Sequence, residues 1–218
     1  RPGEQYGDLD ILIPSGSFRM SSFEGKLLAR SPEGWRAAYP WASKRSAAFF
    51  RGTPYCGQHN FGRCSRYALA HLSAEQQLAR QRSNRQPQPP SQQPPSQQPP
   101  SQQPPSQQQQ LRRERWQRLA SSPTLDVGLV EYNPSHDTER SRGVRTYPLP
   151  KAARKPDSVL GHYKWLLHLD GHSFSNRLQG LLLTNSLVLK QDSPYIEYYY
   201  RALQPWRHYV PFYRTSAE

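Results

Sequence analysis

Methionine and cysteine are almost missing from this chain: its 218 residues hold one Met and two Cys. Cys56 and Cys64 are separated by seven residues of a glycine-containing loop. A zinc site needs more ligands at tighter spacing, so no metal is expected. The two thiols either pair, as an oxidising compartment would allow, or stand free, and the spacing leaves both open. Long apolar runs are also lacking; Leu181–Leu183 is typical, and no stretch is long enough to span a membrane. Acidic residues are few, with 16 Asp and Glu against 29 Lys and Arg, a net charge of +13. Such an excess can mark a nucleic-acid partner. Here 23 of the 29 basic residues are Arg, scattered along the chain rather than gathered on one face. Nucleic acid is therefore not the expected partner.

Aromatic residues are plentiful, with 13 Tyr, 7 Phe and 5 Trp, enough to build a core. Nine of the 22 prolines fall in residues 86–110, where PPSQQ repeats. Proline there removes donors, and Gln and Ser supply nothing to bury. Residues 83–110 are expected to form a solvated, disordered Pro/Gln insert. Such an insert is either a ligand for a proline-reading domain or an expansion that a surface loop tolerates, since loop closure costs grow slowly with length.

The remaining sequence alternates strand and helix signals. "SPEGWRAAYPW" opens with a capping Ser31, Pro32 at the first helical position and Glu33 after it, and Pro40 ends it. "SAAFFRG" reads as a buried strand ending at Gly52. "RYALAHLSAEQQLARQR" reads as a helix with its apolar residues at Tyr67, Ala70, Leu72 and Leu78. "LRRERWQRLASSP" is a second helix and "TLDVGLVEY" a strand or extended segment. Residues 133–158 form a long, polar, Arg-rich loop with four prolines. "HYKWLLHLDG" and "NSLVLKQ" are strands, "SNRLQGLLL" and "PYIEYYYRAL" helices, and "WRHYVPFY" an extended edge. This order predicts an α/β fold with a parallel sheet.

In such a sheet, ligands bind beyond the carboxyl ends of the strands. The stretch "HLDGHSFSNRLQG" lies at one such end. Gly171 permits a sharp turn after Asp170, Ser173 and Ser175 offer hydroxyl and backbone donors, and Arg177 brings a cation to a helix start. A cation there is favoured only with an anion beside it, and the guanidinium fork suits a diphosphate. Alternatively, Arg177 is simply a residue of the helix surface.

"KWLLHLDGHSFSNRLQGLLLTNSLVLKQDSPYIEYYYRALQPWRHYVP" strongly resembles the CAP10-type glycosyltransferases, glycosyltransferase family 90, which include the protein O-glucosyltransferases and O-xylosyltransferases. "WASKRSAAFFRG" resembles the family's earlier W-K-FRG element, "DILIP" a still earlier one, and "SSPTLDVGL" the segment before the second strand unit. The PPSQQ block and residues 137–158 fall outside the resemblance.

The resemblance implies the Rossmann-like C-terminal half of a GT-B glycosyltransferase. Residues 1–45 would then be a remnant of the acceptor-side domain. Residues 46–218 would be the nucleotide-sugar domain, incomplete at its end and interrupted by the insert. The donor would be UDP-glucose or UDP-xylose, and the acceptor a hydroxyl on protein or polysaccharide. Donor contacts carry over to Ser46, Arg51, Ser175 and Arg177, with Arg66 a further candidate. Glu197 is a candidate for the ribose hydroxyls, or else a surface carboxylate paired with an arginine. No metal and no other cofactor are expected, since paired arginines can stabilise a diphosphate leaving group. The catalytic base, an aspartate in the family, would lie upstream, and Asp8 and Asp10 are the aspartates near that region. The chain is thus expected to be a fragment, inactive by itself, of a parent in the secretory pathway, in the ER or Golgi lumen. The alternative is an inactive truncated copy that binds partners through its Pro-rich segment.

Overall fold

The computed structural model describes residues 30–54, 65–85, 107–122, 124–131, 149–171 and 175–212. Cys56, Cys64, Ser173, Asp8 and Asp10 lie outside these residues. Helix α1 (Pro32–Ala38) starts as its sequence dictates, with Ser31 Oγ accepting the Gly34 N–H at 3.0 Å. Strand β1 (Arg45–Gly52) follows a 3₁₀ turn at Trp41–Ser43. Helix α2 (Ser65–Arg85) and helix α3 (Gln107–Ser121) pack on each other and lead into β2 (Thr124–Leu129). Another 3₁₀ segment, Asp157–His162, precedes β3 (Tyr163–His168). Helix α4 (Leu178–Leu182), β4 (Leu187–Gln191) and β5 (Val210–Phe212) complete the order.

The five strands form one sheet in the order β2-β1-β3-β4-β5, and every pair is parallel. This is the α/β, Rossmann-like architecture expected. The chain enters at β1, goes to one side for β2, then returns to the other side for β3. The switch point therefore lies between β1 and β3, where open α/β sheets bind ligands.

Both faces of the sheet are covered, which is why β1 is apolar at consecutive rather than alternate positions. Ala48, Phe50, Val127 and Leu167 face α2, where Tyr67 and Ala70 meet them. Ala47, Phe49, Leu166 and Val188 face α4, through Leu178 and Leu181. Burying each such Phe or Leu side chain contributes roughly 1.5–3 kcal/mol.

Three elements differ from the sequence reading. Helix α2 extends to Arg85 and α3 begins at Gln107, so residues 83–85 and 107–110 of the expected insert are helical. Leu72 is exposed, whereas Ser73 and Gln76 are buried on α2. Their reason is the free edge of β2. Ser73 Oγ donates to the Leu125 carbonyl at 2.9 Å and accepts the Val127 N–H, while Gln76 Oε1 accepts the Leu125 N–H at 2.7 Å. Finally, "PYIEYYYRAL" is no α-helix but coil followed by a 3₁₀ turn at Tyr200–Ala202. Tyr199 OH donates to Glu197 Oε1 at 3.2 Å, a pairing two positions apart that an α-helix does not bring together.

Candidate functional site: an arginine-lined cavity at the sheet switch point

Strands β1 and β3 end side by side, and three arginines meet beyond them. Arg66 stands in the first turn of α2 and is buried. Its Nη1 donates to the Thr53 carbonyl at 2.9 Å, just past β1. Its Nη2 donates to the Leu169 carbonyl at 3.0 Å, just past β3. The guanidinium thus bridges the switch point. Burial, with Arg177 nearby, lowers its pKa to about 10, and Asp170 opposes the shift. A Cβ at position 171 would lie 3.1 Å from Arg66 Nη2, so Gly171 leaves the guanidinium its space.

Arg177 caps the start of α4, and its Nη1 donates to the Arg51 carbonyl at 2.6 Å. Arg51 lies near the end of β1. Its Nη1 donates to the Phe50 and Asp126 carbonyls at 2.9 and 2.8 Å, and its Nη2 pairs with the Asp126 carboxylate. The Arg51 Nε is buried without a hydrogen-bond partner. Tyr163 OH donates to the other Asp126 oxygen, so both carboxylate oxygens are engaged. A Cβ on Gly128 would lie 3.2 Å from Arg51 Nε and only 2.5 Å from Ala152 Cβ. The absence of a side chain at 128 is therefore what leaves a slot for Arg51.

The turn between β3 and α4 is organised by Asp170. The Ser193 hydroxyl and the Ser175 backbone N–H donate to its carboxylate. Burial raises the Asp170 pKa, and those donors together with Lys190 and Arg66 oppose the rise. His168 Nε2 is 2.8 Å from the Ser175 carbonyl, so that nitrogen carries the proton and donates. Burial holds His168 neutral, its pKa lowered to about 3. Lys190 is buried at the end of β4, its Nζ 4.7 Å from the Tyr200 ring centre. Burial lowers its pKa, and Asp170, Asp192 and Glu197 pull it back up.

Beside the arginines is a cavity of about 130 Å³. Phe49, Leu166 and Leu181 form its apolar wall, and Arg51 and Arg177 its cationic one. Residues 154–160 cross over it and add Arg154, Lys155 and Asp157. This wall of cations against apolar side chains suits an anion attached to a less polar body. Among the described residues no group of three or more His, Cys, Asp or Glu is arranged to hold a metal ion.

Of the residues expected to bind a donor, Arg51, Arg66 and Arg177 come together at this edge. Ser175 joins them, with its carbonyl and N–H making its contacts here. Ser46 does not: it is exposed at the amino end of β1, bonded to Lys164 Nζ at 3.1 Å. Five residues of extended strand, roughly 16 Å, separate it from Arg51. Glu197 is buried against Tyr199 behind β4 rather than on a helix surface, and it does not line the cavity. Sequence reasoning missed Asp126, Asp170 and Lys190 as members of the network. Each is a charged residue inside or just after an apolar strand, and that placement was the available signal.

The chain is thus a Rossmann-like unit with an arginine-lined cavity at its switch point. Residues 112–217 match the family model for Glycosyl transferase family 90, the CAP10-type family that the motifs resemble. The chain is 50% identical over 111 residues to Protein O-glucosyltransferase 3 of Homo sapiens, covering 49% of this chain and 20% of that protein. The Mus musculus Protein O-glucosyltransferase 3 is 52% identical over 111 residues, 49% of this chain and 21% of the relative. Protein O-glucosyltransferase 2 of Danio rerio is 48% identical over 50 residues, 23% of this chain and 10% of that protein. The chain spans about a fifth of the length of the first two relatives. No described helix is long and apolar enough to cross a membrane.

Proposed function

We propose that this chain forms the donor side of a protein O-glucosyltransferase-like enzyme, whose parent transfers glucose or xylose from a UDP-sugar to a hydroxyl acceptor. The observation that carries this reading is the meeting of Arg51, Arg66 and Arg177 beyond β1 and β3, beside a cavity of about 130 Å³. In the transfer, the bond from the anomeric carbon to the diphosphate breaks. The acceptor oxygen takes its place on that carbon, and the hydroxyl proton goes to a base. Negative charge grows on the leaving UDP, and fixed guanidinium groups stabilise it where it develops. In this reading the arginines do the work that a divalent ion does elsewhere, so the reaction needs no metal. The likeness to Protein O-glucosyltransferases 2 and 3 supports a protein acceptor and a working place in the secretory pathway.

Transfer also needs the acceptor held in line, worth up to roughly 7–11 kcal/mol. A positioned base contributes about a further hundredfold or more. In this reading both come from outside residues 30–212. The expected outcome is therefore UDP binding without sugar transfer. Calorimetric titration with UDP tests the site. Arg177→Ala is expected to weaken binding about 10- to 100-fold, since a charge-assisted hydrogen bond contributes roughly 1.5–3 kcal/mol. Absence of UDP binding by the unaltered chain would overturn the proposal. Transfer from UDP-glucose or UDP-xylose by the chain alone would show that the base lies within it.

A further inference from the structure

Residues 137–158 contain none of the quoted motifs, yet the last of them form part of the cavity. Residues 149–162 cross the sheet as a strap anchored at both ends. Leu149 is buried against the α2 face, and the Ala152 N–H donates to the Leu129 carbonyl at 2.9 Å. At the far end, Lys44 Nζ donates to the Gly161 carbonyl at 2.7 Å. The stretch between these anchors is thereby held above the cavity, where it adds two cations to the two already there.

The four cations are not equivalent. Arg51 is committed to Asp126 and to two carbonyls, Arg154 pairs with Glu131, and Arg177 donates to the Arg51 carbonyl. Lys155 is exposed, and among the described residues it makes no hydrogen bond or ion pair. An ammonium on a flexible stem adapts to an incoming phosphate at little cost, whereas a clamped guanidinium cannot move to it. The apolar wall of Phe49, Leu166 and Leu181 strengthens any such contact by lowering the local dielectric.

We propose that Lys155 is a phosphate-binding residue of this cavity, meeting the anionic group of the ligand from the strap while Arg51 and Arg177 meet it from the sheet. The inference rests on the nucleotide reading of the site. It makes the strap a determinant of affinity for the diphosphate.

The test is a series at position 155 in the 218-residue chain, titrated with UDP and set beside Arg177→Ala. Lys155→Arg is expected to bind as the unaltered chain does. Lys155→Ala is expected to bind about tenfold more weakly, and Lys155→Glu more weakly still, because a carboxylate repels the phosphates. The Lys155→Ala affinity should also fall less steeply as salt is raised, one exposed cation having been removed. A flat series with binding still lost in Arg177→Ala would overturn this inference and leave the nucleotide reading standing. Equal losses in Lys155→Arg and Lys155→Ala would overturn it too, since charge would then not matter. No UDP binding by the unaltered chain would sink both.

Discussion

Among single residues, His168 carries the clearest pH signature. Its imidazole is buried and neutral, with Lys190, Arg66 and Arg177 adding to the penalty for charging it. In the unfolded chain the same group titrates near its ordinary value of 6.5. Between about pH 6.5 and about 3 the unfolded state binds the proton and the folded state does not. Stability is therefore complete above that window and falls as pH drops through it, by at most about 1.4 kcal/mol per unit from this group. His168→Gln keeps an N–H for the Ser175 carbonyl but removes the titration. Urea melts at stepped pH should show a flatter acid limb for this variant. An unchanged limb would mean that other groups set the acid response. Lys44 makes a second local prediction. Its Nζ donates to the Gly161 and Thr184 carbonyls and to Ser186 Oγ, tying the entry to β1, the strap end and the turn before β4 together. Lys44→Met fills the volume but leaves those acceptors unmet, at an expected cost of about 2–4 kcal/mol in chemical denaturation.

For the elements, the outer edge of β2 is the part most exposed to error. It is the last strand of the sheet, and its outward backbone groups are met by Ser73 and Gln76 of α2 and by Ala152 of the strap. An unmet edge would offer itself to another strand. Gln76→Leu should leave the Leu125 N–H unpaired, cost about 1–3 kcal/mol, and raise aggregation on heating, as read by light scattering. Gly128 on the same strand acts on the ligand site instead. Gly128→Ala places a methyl against Ala152 and the Arg51 guanidinium, so Arg51 or the strap must shift. UDP affinity should drop together with the melting temperature, and a variant that binds UDP normally would show that the slot is not needed. The sequence reading placed α2 correctly and turned Tyr67 and Ala70 inward, but it also turned Leu72 inward and missed Ser73 and Gln76. It assumed that a buried helix face is apolar, whereas here the face is partly polar because it seals a strand edge.

At the scale of the whole molecule, the chain leaves α2 for the insert at the end opposite the arginine cluster. Arg66 stands at the start of that helix and Arg85 at its end. Twenty-one helical residues span roughly 31 Å. Joining the helix ends Arg85 and Gln107 through a short Gly-Ser linker in place of residues 86–106 should leave the melting temperature and UDP affinity unchanged. A large loss of either would show that the PPSQQ block supports the fold. This prediction follows from topology, since the block joins the α2–α3 pair at its end away from β1 and β3.

Much of the fold was legible because it rests on local signals. Ser31, Pro32 and Pro40 delimit α1, the run Ala47–Phe50 marks a strand covered on both sides, and strand–helix alternation requires a parallel sheet. The ordered motifs, from "WASKRSAAFFRG" to "LDGHSFSNRLQG" and "NSLVLKQ", carried the family resemblance and singled out Arg51 and Arg177, which the structure places in contact. Only the tertiary structure decided how the charges there are divided. That Arg51 is clamped by Asp126, that Arg66 bridges two strand ends, and that Ser46 lies at the far edge all depend on contacts across long sequence separations. So does the placing of Lys155 over the cavity, because a loop's course is set by where its ends are anchored and not by its own composition.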